Sequence, residues 1–392
     1  MRSQVRTLVV LAGLWLAGVA TAQSLPQPPE IAARAYLLMD LSSEQELAAR
    51  EADVAVQPAS LTKLMTAYLV FDALRVGKLE LEQKLVVSEQ ARRQPGSRMF
   101  LEAGMKVPVE DLIKGLLVQS GNDAAVALAE GAAGSVERFV QQMNEQVQAL
   151  GMKATRFMNP TGLTQSGQQS TARDLAILAT RLLRDFPDRA RFHAIRKYRY
   201  EGTPPANDSN RNLLLFRDPS VDGLKTGHTE AAGYCLIATA QREFPHLGPA
   251  GAPGPRRLLV VLLGADSESA RATEAQKLLN WGYTAFETVK LFEANQPVLT
   301  PAVWKGSTAQ VRLGRPQAVV VTVPAGQAGH LRTQAVRPDP LVAPLRKGQA
   351  TGMLKIYSGE RTLSEIPLLA LETVDEAGLI GRAWDAFRLW IQ

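Results

Sequence analysis

The sequence predicts an α/β (α+β) fold, with helices covering an antiparallel sheet, followed by a small all-β sandwich and a terminal amphipathic helix. Three observations carry this. Residues 33–281 run as a strand, several helices, then more strands and a last helix. From about residue 288 helix signals stop, and short β-like runs alternate with Gly/Pro turns. From residue 375 to the end, apolar residues return at helical spacing.

Composition bounds the rest. With 392 residues, 46% hydrophobic and 21% charged, the chain is too apolar for disorder and long for one domain. A net charge of +6 without a dense Lys/Arg run argues against nucleic acid as a partner. The single Cys cannot form an internal disulfide, and with only four His beside it a structural zinc site is disfavoured.

A lone Cys points to a reducing compartment, but the amino terminus points the other way. Arg2 and Arg6 flank the start of an apolar stretch over residues 8–20 that is too short to span a bilayer comfortably. Ala20-Thr21-Ala22 then offers a small-x-small cleavage pattern. Residues 1–22 read as a signal peptide cut before Gln23, an uncleaved anchor being the competing reading. No Cys follows the run, so a lipoprotein is not expected. The exported chain must hold its core without disulfides, which its size allows.

In order along the chain, RAYLLMDLS at the start of the folded region reads as a strand. Pro58 ends a loop, and residues 61–74 carry apolar positions at helical spacing (Leu61, Leu64, Met65, Tyr68, Leu69). Helical segments such as VEDLIKGLLV and ARDLAILATRLL fill residues 107–184. Residues 234–240 and 257–263 are β-rich, and FPHLGPAGAPGP between them joins an apparent hairpin. A helix is expected around residues 270–281. Beyond it AQVRLG, AVVVTVP, LRTQAV, MLKIYS and IPLLALETV read as strands of the second domain. In the tail, Leu379, Ile380, Ala383, Trp384, Phe387, Trp390 and Ile391 share one side at 100° per residue. Such a helix is too short and polar to cross a membrane and suits a membrane surface; docking on its own domain and a dimer contact are the alternatives. The boundaries are 1–22 signal peptide, 23–287 α/β domain, 288–374 β domain and 375–392 tail helix.

Three short motifs carry chemistry. Ser60-Leu61-Thr62-Lys63 starts the first long helix, so Ser60 and Lys63 face the same way one turn apart. A serine hydroxyl is a weak nucleophile without a base beside it, and a buried lysine near a second cation can be that base. Alone, an S-x-x-K is expected roughly once or twice in a chain of this size. Ser120-Gly121-Asn122 falls between two helical runs, where Ser120 and Asn122 can point into a cleft or simply cap a helix. Lys225-Thr226-Gly227, followed by His228, precedes the β-rich run GYCLIATA. Lys225 and Thr226 suit a carboxylate, and Gly227 lets a substrate backbone approach; a charged hairpin end is the plainer reading.

In this order the three motifs form the signature of serine β-lactamases and penicillin-binding proteins. The sequence resembles the D-alanyl-D-alanine carboxypeptidases, low-molecular-mass penicillin-binding proteins of the type-5 subgroup. The resemblance runs from ADVAVQPASLTKLMTAYLV through LLVQSGNDAAVALAE, MNPTGL, ARDLA, NRNLLLF and VDGLKTGHTEAAGYCLIATA to KLLNWGY, and on over the β domain and tail. It implies that Ser60 is the acylating nucleophile, Lys63 its base and Ser120 a proton relay. Asn122 would bind the substrate peptide, and Lys225 and Thr226 its terminal carboxylate. The N–H groups of Ser60 and His228 would form the oxyanion hole. Arg271 matches a carboxylate-binding arginine and Arg211 a site-flanking one, while Cys235 matches no catalytic position and reads as a buried small hydrophobe. The middle motif is S-G-N, and no Glu occurs between Glu145 and Glu201, where a class A β-lactamase carries its deacylating glutamate.

The resemblance thus implies a periplasmic enzyme that trims the terminal D-alanine from peptidoglycan pentapeptides and is acylated by β-lactam antibiotics. No metal and no organic cofactor is implied. The tail would lie in the outer leaflet of the inner membrane. A D,D-endopeptidase and a non-catalytic wall-binding scaffold are the competing functions; the β domain speaks against the first and the three intact motifs against the second.

Overall fold

A computed structural model describes residues 26–378. The expected signal peptide (1–22) and the apolar stripe expected in the tail lie outside these residues. At the centre is a five-stranded antiparallel sheet in the order β2-β1-β7-β6-β5. Its strands are β1 (Ala35–Asp40), β2 (Gln45–Arg50), β5 (Val221–Thr229), β6 (Gly233–Phe244) and β7 (Gly254–Ala265). A small hairpin of β3 (Lys84–Val86) and β4 (Lys106–Pro108) stands apart from it.

The sheet is buried on both faces, which is why its strands read as nearly unbroken apolar runs rather than as a polar/apolar alternation. Leu37, Ile237, Leu259 and Val261 enter one core, which they share with a large helical layer. Leu38, Leu236, Ala238, Leu258 and Val260 enter the other. The period of two in each strand sorts neighbours to opposite cores. The first layer contains α1 (Lys63–Arg75), α3 (Val109–Leu117), α4 (Asn122–Ala133), α5 (Val136–Leu150) and α6 (Ala172–Asp185), with a short α2 (Glu89–Arg92) at its margin. The second face is covered by α8 (Glu268–Ala285) and the short α7 (Leu214–Arg217). Helix starts are marked by capping: the hydroxyls of Ser135, Thr171 and Ser267 accept from the backbone N–H of Arg138, Asp174 and Ala270.

The expected hairpin is β6–β7, with Phe244 opposite Gly254. Lys225-Thr226-Gly227 precede the β-rich run GYCLIATA, which is β6, and themselves lie inside β5, at the edge of the sheet. Glycine and charge disguise this strand in the sequence; pairing with β6 makes it one.

The second domain starts with β8 (Phe286–Phe292), directly after α8 and earlier than the composition change at 288. The following strands are β9 (Pro297–Leu299), β10 (Val303–Trp304), β11 (Leu313–Gly314), β12 (Val319–Pro324), β13 (Leu331–Val336), β14 (Leu341–Val342), β15 (Ala350–Ser358) and β16 (Arg361–Ala370). A five-stranded sheet, β13-β15-β16-β11-β9, faces the β12-β8 ribbon across Val319, Val321, Leu354, Ile356 and Leu368. At the tail boundary, Val374 bridges Leu345 and Glu376 bridges Gly306. Extended pairing therefore continues through residue 376, and the expected helix does not begin at 375.

The β domain and the Lys225 motif sit at opposite ends of the central sheet. Asp40 pairs with Leu258, Leu258 with Ala240, and Ala240 with Val221, which marks one end. His228, Tyr234 and Ala265 mark the other. Asp40, at the first end, accepts hydrogen bonds from Thr288 and Thr322 of the β domain at 2.7 and 2.9 Å.

Candidate active site

A cavity of about 260 Å³ opens where the start of α1, the α3–α4 turn, the 159–163 loop and β5 converge. Pro58 leads into a tight 3₁₀ turn, Ala59–Thr62, that runs straight into α1. Ser60 sits in that turn, half-buried and lining the cavity, while Lys63 opens α1 with no exposed surface.

Lys63 Nζ lies 3.0 Å from Ser60 Oγ, 2.6 Å from Asn122 Oδ1 and 2.5 Å from the Thr161 carbonyl. The last two oxygens can only accept. A neutral lysine therefore commits both N–H groups to them and turns its lone pair to the Ser60 hydroxyl. Burial pushes the Lys63 ammonium down to about 7; the carboxylate of Asp123 opposes this, and the Arg211 cation adds to it.

Each partner of Lys63 is itself positioned. Asn122 is the first residue of α4, and its Nδ2 donates to the Pro95 carbonyl at 2.6 Å. This contact also fixes which end of the amide faces Lys63. Next to it, buried Asp123 accepts from the N–H groups of Met99 and Leu101, tying the loop that carries Ser97 to the same helix end. Thr161 belongs to the MNPTGL segment. There Asn159 Oδ1 accepts from the N–H groups of Thr161 and Gly162 at 3.2 and 2.8 Å, folding the turn that aims the Thr161 carbonyl at Lys63. Ser120 lines the cavity in a left-handed conformation (φ 59°), and its buried hydroxyl has no hydrogen-bond partner.

β5 forms the opposite wall. As the last strand of the sheet, it has one side of its backbone without a strand partner. Lys225 and Thr226 are buried, and Lys225 Nζ donates to the Thr226 carbonyl at 3.0 Å. Burial above all, then the cations of Lys63, Arg211 and Arg271, holds the Lys225 pKa well below the usual lysine range. At Gly227 the strand packs closely on the turn that carries Ser60: a Cβ there would lie 3.3 Å from Ala59 Cβ and from Leu61 N. The His228 ring is exposed and stacks on Tyr234 at 4.0 Å. Arg271, in the first turn of α8, is buried and donates to Glu268, to the Arg211 carbonyl and, at 3.4 Å, to the Gly227 carbonyl.

The structure thus brings Ser60, Ser120, Asn122, Thr226, Gly227, His228 and Arg271 to one cavity wall or another, with Lys63 and Lys225 buried behind it. Sequence motifs alone did not assign roles to Asn159, Thr161, Gly162, Asp123 or Ser97; MNPTGL and the Asp after S-G-N were the available signals. Arg211, exposed at the rim, also lines the cavity. None of the lining residues is acidic, and Arg211 and Arg271 are among them, so the cleft presents arginine charge to an anionic end group. Cys235 is buried in β6 as expected, and burial pushes its thiol up to about 11.

The D-alanyl-D-alanine carboxypeptidase family model (Peptidase_S11) matches residues 22–247, and the penicillin-binding protein 5 C-terminal domain model matches 286–376. The chain belongs to the D-alanyl-D-alanine carboxypeptidase family. It is 39% identical over 372 residues to the D-alanyl-D-alanine carboxypeptidase DacC of Escherichia coli, covering 93% of this chain and 90% of that protein. Penicillin-binding protein 5 from Haemophilus influenzae superposes with a TM-score of 0.82 at 36% identity, over 90% of this chain and all of that one. Penicillin-binding protein D2 from Listeria monocytogenes, solved in its ampicillin-bound form, matches 66% of this chain and all of that one, with a TM-score of 0.54 at 29% identity. The carboxypeptidase is a serine peptidase with a role in the cell wall.

Proposed function

We propose that Ser60 attacks the carbonyl of the penultimate D-alanine in a peptidoglycan pentapeptide, with Lys63 as general base. The contact of Lys63 with Ser60, made by an amine whose pKa is near 7, is the observation that carries this reading. The Ser60 Oγ–C bond forms as the proton passes to Lys63. The C–N bond then breaks, and the leaving amine takes a proton through Ser120, whose hydroxyl is the unpartnered donor in the cleft. Water then attacks the ester carbonyl and passes a proton to Lys63; the acyl C–Oγ bond breaks, and Lys63 gives that proton to Ser60 Oγ. The substrate would run along the open edge of β5, extending the sheet by one strand. Its terminal carboxylate would meet Thr226 and the charge of Lys225 and Arg271. The N–H groups of Ser60 and His228 would take the oxyanion. A β-lactam would acylate the same Ser60.

Two measurements test this. Intact-mass analysis after a β-lactam should show one adduct on the wild type and none on Ser60→Ala. A model pentapeptide should release D-alanine only with Ser60 present. A folded wild-type sample that forms no adduct overturns the assignment.

We further infer export to the periplasm through residues 1–22 and attachment of residues 379–392 to the membrane surface, with Trp384, Phe387 and Trp390 as anchors. The β domain docks on the sheet end remote from the Lys225 motif, which supports a role in holding the cleft off the membrane. A chain ending at residue 378 should lose co-sedimentation with anionic vesicles and keep D-alanine release in solution. Equal sedimentation of both forms overturns the anchor.

A further inference from the structure

β5 is supported from the α1 side at two places, by the 3₁₀ turn before α1 and by a 3₁₀ segment packed on α1. Near the cleft, Gly227 packs on Ala59 and Leu61. Toward the remote end, the contact is made through His193, in the 3₁₀ segment Pro187–Ala194. Its ring lies edge-on to Phe71 of α1 at 6.2 Å, and a Cβ on Gly223 would lie 3.0 Å from His193 Cβ. The imidazole has no exposed surface.

His193 Nδ1 lies 3.3 Å from the Leu224 carbonyl, immediately before Lys225. A carbonyl only accepts, so Nδ1 carries the proton and donates. Nε2 is then a bare lone pair, buried and without a partner. Burial pushes the ring down to about 4, keeping it neutral in this arrangement at working pH. The preceding carbonyl, of Gly223, is held in turn by Asn212 Nδ2 at 3.1 Å. The backbone leading into Lys225 is therefore fixed by two side chains from outside the sheet.

We propose that His193 is a positioning residue for the reaction. Through the Leu224 carbonyl and its seat against Phe71, it sets the height of Lys225 and Thr226 over the nucleophile. The unsatisfied buried nitrogen carries a stability cost that an aromatic hydrocarbon of similar size would avoid, while only the imidazole supplies the donor to the Leu224 carbonyl.

This gives opposite orders for stability and activity. His193→Phe keeps the volume and removes the unpartnered Nε2, but leaves the Leu224 carbonyl without its donor. It should melt at or above the wild-type temperature and acylate with a β-lactam about tenfold more slowly, as expected for a misplaced catalytic strand. His193→Asn can place its Nδ2 near the Nδ1 position but leaves a cavity. It should melt lower than the Phe variant, yet acylate within about threefold of wild type. Wild-type acylation by the Phe variant, or rates that simply follow melting temperature, would overturn the proposal.

The proposal rests on the acyl-enzyme reading, and wild type and Ser60→Ala run in the same assay separate the two failures. No adduct on wild type sinks that reading; a normal wild-type rate with an unaffected Phe variant sinks only the role of His193.

Discussion

Lys63 is a residue whose chemistry the fold alters strongly. Its two carbonyl-type partners fix the amine, and burial lowers its pKa to about 7. Only the neutral amine can accept the Ser60 proton. Below about pH 7 the neutral fraction falls about tenfold per unit, and above it the fraction saturates. The second-order rate of β-lactam acylation should rise with unit slope from pH 5 to about 7 and then flatten; a flat profile across that range would remove Lys63 as the base. Gly162 illustrates a backbone demand of similar weight. Its φ is +84°, and a Cβ there would lie 1.9 Å from the Ala59 carbonyl oxygen. Gly162→Ala must push the Thr161 turn and the Ser60 turn apart. A displacement near 1 Å costs about a hundredfold in rate. Acylation should fall by about that factor in Gly162→Ala, even in samples whose circular dichroism is unchanged.

At the level of elements, legibility followed from whether a signal was local. The helix from residue 63 announced itself through periodicity and a preceding proline, and the β6–β7 hairpin through two apolar runs around a Gly/Pro loop. The S-x-x-K, S-G-N and K-T-G motifs were readable because side chains carry their chemistry. The bounds of β5 were less legible than the change to strands after residue 220: VDGLKTGHT contains two glycines and two charges, and its conformation depends on partners in β6 and on contacts from Asn212 and His193. The third partner of Lys63 was hidden for another reason. It is the backbone carbonyl of Thr161, and a carbonyl has no residue-type signature; only the turn made by Asn159 aims it. The change of composition near residue 288 falls just inside β8, which follows α8 without a linker.

At the scale of the whole molecule, the two domains meet across a buried ion pair. Arg256 and Asp40 are both fully buried, 216 positions apart in sequence, and Arg256 Nε donates to Asp40 Oδ2 at 2.8 Å. The guanidinium also donates to the carbonyls of Phe286 and Gly282, and the carboxylate accepts from Ser42 N and from the hydroxyls of Thr288 and Thr322. A pair so fully hydrogen-bonded is tolerated in the interior, but breaking it on one side leaves an uncompensated charge. Asp40→Ala should therefore cost about 3–5 kcal/mol, well above a typical core truncation to alanine of one small side chain. Replacing both partners with apolar residues, Asp40→Leu with Arg256→Met, should recover most of that loss, because no charge then remains buried. The hydroxyls of Thr288 and Thr322 would lose their shared acceptor in either case, so the β domain should loosen from the sheet. Calorimetry reads both effects: the single variant should melt lower and the domains should unfold in separate transitions, while the double variant should regain temperature but not coupling. Since the network sits at the sheet end remote from Lys225, D-alanine release per folded molecule should stay within about twofold of wild type in both variants. Unchanged melting of Asp40→Ala would show that the domains are held by their apolar contacts alone.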